Sequence, residues 1–131
     1  MSISNYIKSS DWKAEKHVPV ITVEGRFVSG QPLDIEVSVG KEIPHPNTIE
    51  HHIAWIALYY VPEGAPFPIE LARADFSAHG PGVFTEPVLK TTVRLPSPTP
   101  IQNPKASGKL LAVAYCNLHG LWEGEMTTEV L

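Results

Sequence analysis

Prolines and glycines cut this chain into short runs, and no run carries a helical apolar period for any length. Thirteen prolines and nine glycines are spread through 131 residues. Most fall between stretches rich in β-branched residues, several of which alternate apolar with polar. A chain of this kind buries its apolar side chains by pairing strands. The expectation is an all-β sandwich or barrel of about seven strands, built as a single domain over residues 1–131.

Read in order, residues 2–16 are polar with one helical turn near Tyr6 and Ile7, and residues 11–16 form an exposed loop. Residues 18–28 read as a strand. Residues 33–39 alternate strictly, as a half-buried strand does, and Gly40 ends them. Residues 41–47 hold Pro44 and Pro46 and must be loop. Residues 51–61 are apolar on both faces at Trp55, Ile56, Ala57 and Leu58, which predicts a central strand. In residues 69–76 the apolar phase slips from Ile69 and Leu71 to Ala72, Ala74 and Phe76, which a β-bulge explains. Residues 88–95 alternate again. Residues 96–108 carry four prolines and read as a long hairpin-like loop. Strands over residues 109–115 and 121–131 complete the set.

Composition excludes several classes of function. The net charge is −4 and no basic stripe exists, so a nucleic-acid partner is not expected. The longest apolar run, residues 53–61, is too short to cross a bilayer. The first residues lack the basic and apolar regions of a secretion signal. One cysteine cannot form an internal disulfide, which fits a cytoplasmic, reducing setting.

That cysteine stands in Tyr115-Cys116-Asn117-Leu118-His119-Gly120. A thiolate and an imidazole at this spacing can bind one metal across a tight turn, and turn N–H groups near the sulfur would tune it. A buried thiol followed by a surface histidine would give the same pair. Three upstream stretches add weight: Glu15-Lys16-His17-Val18-Pro19, His45-Pro46-Asn47 and Glu50-His51-His52. Five of the six histidines lie in these four clusters. His51 and His52 open a strand in this reading, so at most one can face a given metal. His79 has no ligand-like neighbour in sequence.

These motifs resemble the signature of the superoxide reductases, and specifically the one-iron neelaredoxin type, in order, identity and spacing from about Asp11 to Glu123. The two-iron desulfoferrodoxins carry an extra N-terminal domain with four cysteines, which this chain has neither the length nor the cysteines to include. The resemblance implies an immunoglobulin-like β-barrel of seven strands. It implies one iron ion per chain with His17, His45, His51 and His119 as equatorial ligands and Cys116 as the axial thiolate. His119 would bind through Nδ1 and the other three through Nε2. It further implies that Glu15 ligates the ferric iron and that Lys16 attracts the anion and orients a proton-donating water. The implied activity is one-electron reduction of superoxide to hydrogen peroxide, with re-reduction by a rubredoxin-like donor. Family members are commonly homotetramers or homodimers.

Three other readings compete. A blue-copper protein is also a β-sandwich with a Cys and His close together, and Met126 could supply its weak axial ligand. A structural zinc site would use the cysteine and three histidines with no open position. A plain immunoglobulin-like interaction module would hold no metal at all.

Overall fold

The computed structural model of the chain describes residues 2–95 and 107–129. After a short 3-10 turn at Ile3–Asn5, seven strands follow: β1 (Pro19–Val23), β2 (Leu33–Val39), β3 (Ile53–Pro62), β4 (Ile69–Asp75), β5 (Val88–Val93), β6 (Ser107–Cys116) and β7 (Gly120–Glu129). They form two antiparallel sheets, ordered β1-β2-β5 and β4-β3-β6-β7. The all-β sandwich expected from the strand pattern is the architecture observed.

The core lies between the sheets. Leu33, Ile35, Val37 and Val39 of β2 face Ile56, Leu58 and Tyr60 of β3 and Leu110, Ala112 and Ala114 of β6 within one buried cluster. A fully buried Leu58 or Leu110 contributes on the order of 2 kcal/mol through apolar area removed from water. β3 is apolar on its outer face too. There Trp55 stacks on Tyr115 at 6.0 Å, Arg73 covers the Trp55 ring, and Ala57 is fully buried beneath this layer. The expected bulge sits opposite Leu58 and Tyr59, which pair with Ala72 and Glu70 and leave Leu71 as the extra residue.

Two differences from the sequence reading matter. His51 and His52 do not open β3; they precede it, in a bend stabilised by side-chain hydrogen bonds. β5 and β6 lie in different sheets, so they do not pair as a hairpin. Of the loop expected over residues 96–108, residues 96–106 lie outside the described residues, as does the end of the last predicted strand, while Ser107 and Gly108 belong to β6.

One seam positions the site. β1 and β7 are edge strands of opposite sheets and lie against each other. Gly124 of β7 makes this contact close, because a Cβ there would run into the Pro19 carbonyl oxygen. The residues just before β1, including His17, are thereby laid over the start of β7.

Candidate metal centre

The cysteine reaches the site by strand phase alone. Gly108, Leu110, Ala112, Ala114 and Cys116 are the inward positions of β6, and all are buried. Pairing with β7 runs to Cys116 opposite Gly120. Gly120, at φ +80°, closes the turn in the left-handed region that glycine adopts without strain. The turn brings His119 back toward the sulfur, with Nδ1 3.8 Å from Cys116 Sγ.

His17 enters along the β1–β7 seam. Its Nε2 lies 3.1 Å from His119 Nδ1, and its ring stacks on Trp122 at 4.8 Å and 14°. Trp122 also donates its indole N–H to the His119 carbonyl at 3.2 Å. His45 and His51 come from the irregular segment between β2 and β3. Gly40, at φ +87°, turns the chain out of β2 so tightly that a Cβ there would sit 2.6 Å from the His45 backbone nitrogen. His51 is held by a turn in which its N–H bonds Thr48 Oγ1 at 3.0 Å and its carbonyl accepts from the Thr48 N–H at 2.9 Å.

The four rings stand at the corners of a square. Centroid distances along its edges are 4.8 Å (His17–His45), 4.6 Å (His45–His51), 4.9 Å (His51–His119) and 4.8 Å (His119–His17). Each edge pair is steeply inclined, between 69° and 77°, while the His17–His51 diagonal is longer at 6.1 Å. One donor atom from each of His17, His45, His51 and Cys116 lies within 4.8 Å of the others. His119 stands outside that mutual set, yet it touches both His17 and the sulfur at the distances given above.

Hydrogen bonding tests whether these donors fit a metal. His45 Nδ1 lies 2.7 Å from the Pro46 carbonyl, which can only accept, so it carries the ring proton. Its Nε2 is buried with no hydrogen-bond partner, and so is Nε2 of His51. His17 Nδ1 lies 2.6 Å from the Glu15 carboxylate and donates to it, which leaves a lone pair on Nε2 facing His119 Nδ1. Lone pairs and a thiol converging in a buried space are costly unless a cation joins them. The mixed nitrogen and sulfur set suits a borderline metal such as iron, and the Glu15–His17 contact is the carboxylate–histidine arrangement that orients metal ligands.

The electrostatics agree. Burial, with smaller effects from the charges of His17, His51 and Lys16 outweighing the Pro46 hydrogen bond, lowers the pKa of His45 from 6.5 to about 4. Burial also lowers that of His51, helped by His119 and His17. Both rings are therefore neutral and able to donate a lone pair at neutral pH. The Glu15 carboxyl is held below its usual value, chiefly by the hydrogen bond to His17.

All five donors named from sequence converge: His17, His45, His51, Cys116 and His119. Glu15 sits behind His17, on Nδ1, rather than among the donor atoms. Lys16 has no ion-pair partner among the described residues, and its charge acts on His45, His51 and Glu15. His52 turns away from the square and stacks on His79. Met126 packs against the core and pairs with Leu110, away from the donors, which removes the axial ligand a blue-copper reading needs. Sequence reasoning passed over Trp122 and Asn117. The Trp122 ring contact is with a residue far away in sequence. Asn117 accepts from the His52 N–H at 2.8 Å and donates to the Glu50 carbonyl at 3.0 Å, and its place between Cys116 and His119 was the available signal.

Known proteins resemble this chain in sequence and in fold. The family model for desulfoferrodoxin matches residues 9–125. The superoxide reductase of Pyrococcus furiosus is 47% identical over 97% of this chain and 99% of its own length. The superoxide reductase (neelaredoxin) of Archaeoglobus fulgidus, solved in the reduced form, is 48% identical. It superposes with a TM-score of 0.79 over 95% of this chain and 98% of that one. A Thermotoga maritima structure provisionally described as a superoxide reductase gives a TM-score of 0.88 at 42% identity, over 100% of this chain and 98% of that one. The chain belongs to the desulfoferrodoxin family.

Proposed function

We propose that this protein is a superoxide reductase, an oxidoreductase that adds one electron and two protons to superoxide and releases hydrogen peroxide. The observation that carries the reading is the square of four imidazoles with a buried thiol beside it, in a chain nearly half identical to named superoxide reductases. A closed zinc site needs only four ligands, and here five donors converge.

The working unit we infer is the single domain, residues 1–131, with one iron ion per chain. His17, His45, His51, His119 and Cys116 are the residues that would hold the iron. Iron bound there supplies the single electron, and the thiolate raises the electron density available for transfer. Cys116 is buried in the apolar core, so a small anion would enter from the side of the histidine square away from it. Lys16, with no ion-pair partner among the described residues, gives that approach a local positive potential in a protein of net charge −4. Glu15 orients His17 through Nδ1 in the arrangement described above. Its service as a ferric-state ligand would need the carboxylate to leave that bond and swing toward the metal. A rubredoxin-like protein is the proposed electron donor, a homodimer or homotetramer the proposed assembly, and a reducing cytoplasm the proposed setting.

Product stoichiometry tests the reading. With reduced donor in excess, each superoxide should yield one hydrogen peroxide and no dioxygen, with one donor electron consumed. Evolution of dioxygen with half that peroxide yield would mean dismutation instead. Replacing Lys16 with alanine should lower the bimolecular rate up to about 10-fold and flatten its decline with salt. An unchanged rate and salt slope would remove Lys16 from the mechanism.

A further inference from the structure

His79 lies outside the donor set, yet both of its ring nitrogens have hydrogen-bond partners and its ring is stacked. Its Nε2 is 2.9 Å from the Phe76 carbonyl, which can only accept. Its Nδ1 is 3.0 Å from Asn47 Oδ1. The Asn47 amide cannot be turned round, because its Nδ2 donates to the Thr85 carbonyl at 2.8 Å and an oxygen there would face another oxygen. Both nitrogens of His79 therefore face acceptors. With both nitrogens engaged in this way, neither is free for a metal.

This ring lies flat on His52, with centroids 3.5 Å apart and planes 7° from parallel. His52 in turn donates from Nδ1 to the Thr48 carbonyl at 2.9 Å, receives Asn117 Oδ1 on its backbone N–H at 2.8 Å, and offers its carbonyl to the Asn117 N–H at 3.1 Å. Asn117 is the residue after Cys116. One ring thus ties together the end of β4, the turn at Thr85, both ends of the segment that carries His45 and His51, and, through His52 and Asn117, the cysteine turn. That segment has no strand ladder of its own to set its position.

We propose that His79 is a positioning residue for the metal centre: by clamping Asn47 and backing His52, it holds the segment bearing His45 and His51 in register with Cys116 and His119. The inference rests on the metal-centre reading above. It assigns work to a histidine that the local sequence gave no reason to single out, and it predicts that Asn47 and His79 act as one unit.

The test is release of ferrous iron from the loaded full-length protein to bipyridine, followed by absorbance, together with the reduction potential of the iron. His79→Gln and Asn47→Ala should each speed release about 10- to 100-fold, the range expected when a group that orients a metal ligand is lost. The double variant should be little worse than either single one, since the two residues serve the same bond. The potential should move in all three. Leu89→Ala, a core truncation in the other sheet, serves as a control for general destabilisation and should leave release and potential near those of the parent. Release within twofold of the parent in both single variants, or an unmoved potential, would overturn the proposal. So would a Leu89→Ala effect as large as that of His79→Gln. A parent protein that binds no iron would instead remove the metal-centre reading itself.

Discussion

The cage has two halves that are built in different ways. Cys116 and His119 sit on the β6–β7 hairpin, where an unbroken ladder runs from Ser107 opposite Glu129 to Cys116 opposite Gly120. His45 and His51 sit between β2 and β3 on a segment with no ladder at all. The first half is positioned by backbone hydrogen bonds that any side chains of suitable phase would allow. The second is positioned by particular residues: a glycine at φ +87°, a proline carbonyl on His45 Nδ1, a Thr48–His51 turn, and the Asn47, His52 and His79 contacts. A metal site needs its donors placed to within a fraction of an ångström, and the sheet supplies that for only part of the set.

The largest effect should come from the hairpin half. Cys116→Ser exchanges a soft thiolate for a hard alcohol, so the thiolate-to-iron absorption of the oxidised protein should vanish and iron should be held loosely. Visible spectra beside iron analysis check this; a Ser variant that keeps the band would show that Cys116 is not the sulfur donor.

The loop half should be the more sensitive to small backbone changes. Gly40→Ala places a methyl group 2.6 Å from the His45 nitrogen and forces alanine into a left-handed conformation. It should cost about 1–3 kcal/mol of metal-free stability and lower iron content as His45 shifts. Gly120→Ala meets nothing within 4 Å, so it should cost only about 1 kcal/mol and keep its iron. Equal iron loss in the two variants, measured after identical reconstitution, would erase the distinction between the halves.

His51→Ala should remove more iron than His52→Ala, because His51 Nε2 is a buried unpartnered atom at the square and the His52 ring stacks on His79. Loss of equal size in both would contradict that division. The smallest effect concerns pH in the metal-free protein. The unfolded chain takes up a proton at His45 near pH 6.5, whereas the folded ring resists until about 4. The fold therefore binds fewer protons than the unfolded chain in that window, and its stability should fall as pH drops through it. The depressed Glu15 carboxyl adds loss in the same direction at lower pH. Thermal melting between pH 7 and 4 should show the decline, and His45→Gln should flatten its upper part. A parent melting temperature that stays level across the window would show that His45 does not resist protonation.

How much was legible in the sequence follows the same division. Strict alternation in residues 33–39 gave β2 to the residue, and the phase slip after Leu71 gave the bulge. The inward phase of β6 puts Cys116 in the core without any appeal to its chemistry. The convergence of these five side chains was legible through motif resemblance, because order and spacing along the chain stand in for distance. The supports were not. His79 meets Asn47 across 32 positions, and no local period or spacing encodes that bond. Trp122 stacks on His17 across a seam that depends on the absent Cβ of Gly124. Glu15 was expected as a ligand in the ferric state only, and the bond its carboxylate makes in this structure, to Nδ1 of His17, is not encoded in that expectation. The bend before β3 likewise replaced a predicted strand start, because Thr48 and Asn117 side chains satisfy backbone groups that a ladder would otherwise have taken.

The central claim is that four imidazoles and one thiolate hold a single iron. X-ray absorption at the iron edge of the reduced, iron-loaded protein measures that donor set directly. The account predicts four nitrogen neighbours at one distance class and one sulfur neighbour per iron, with the sulfur signal lost in Cys116→Ser. A first shell of three nitrogens and one sulfur in a closed tetrahedron, or a shell with no sulfur, would contradict it.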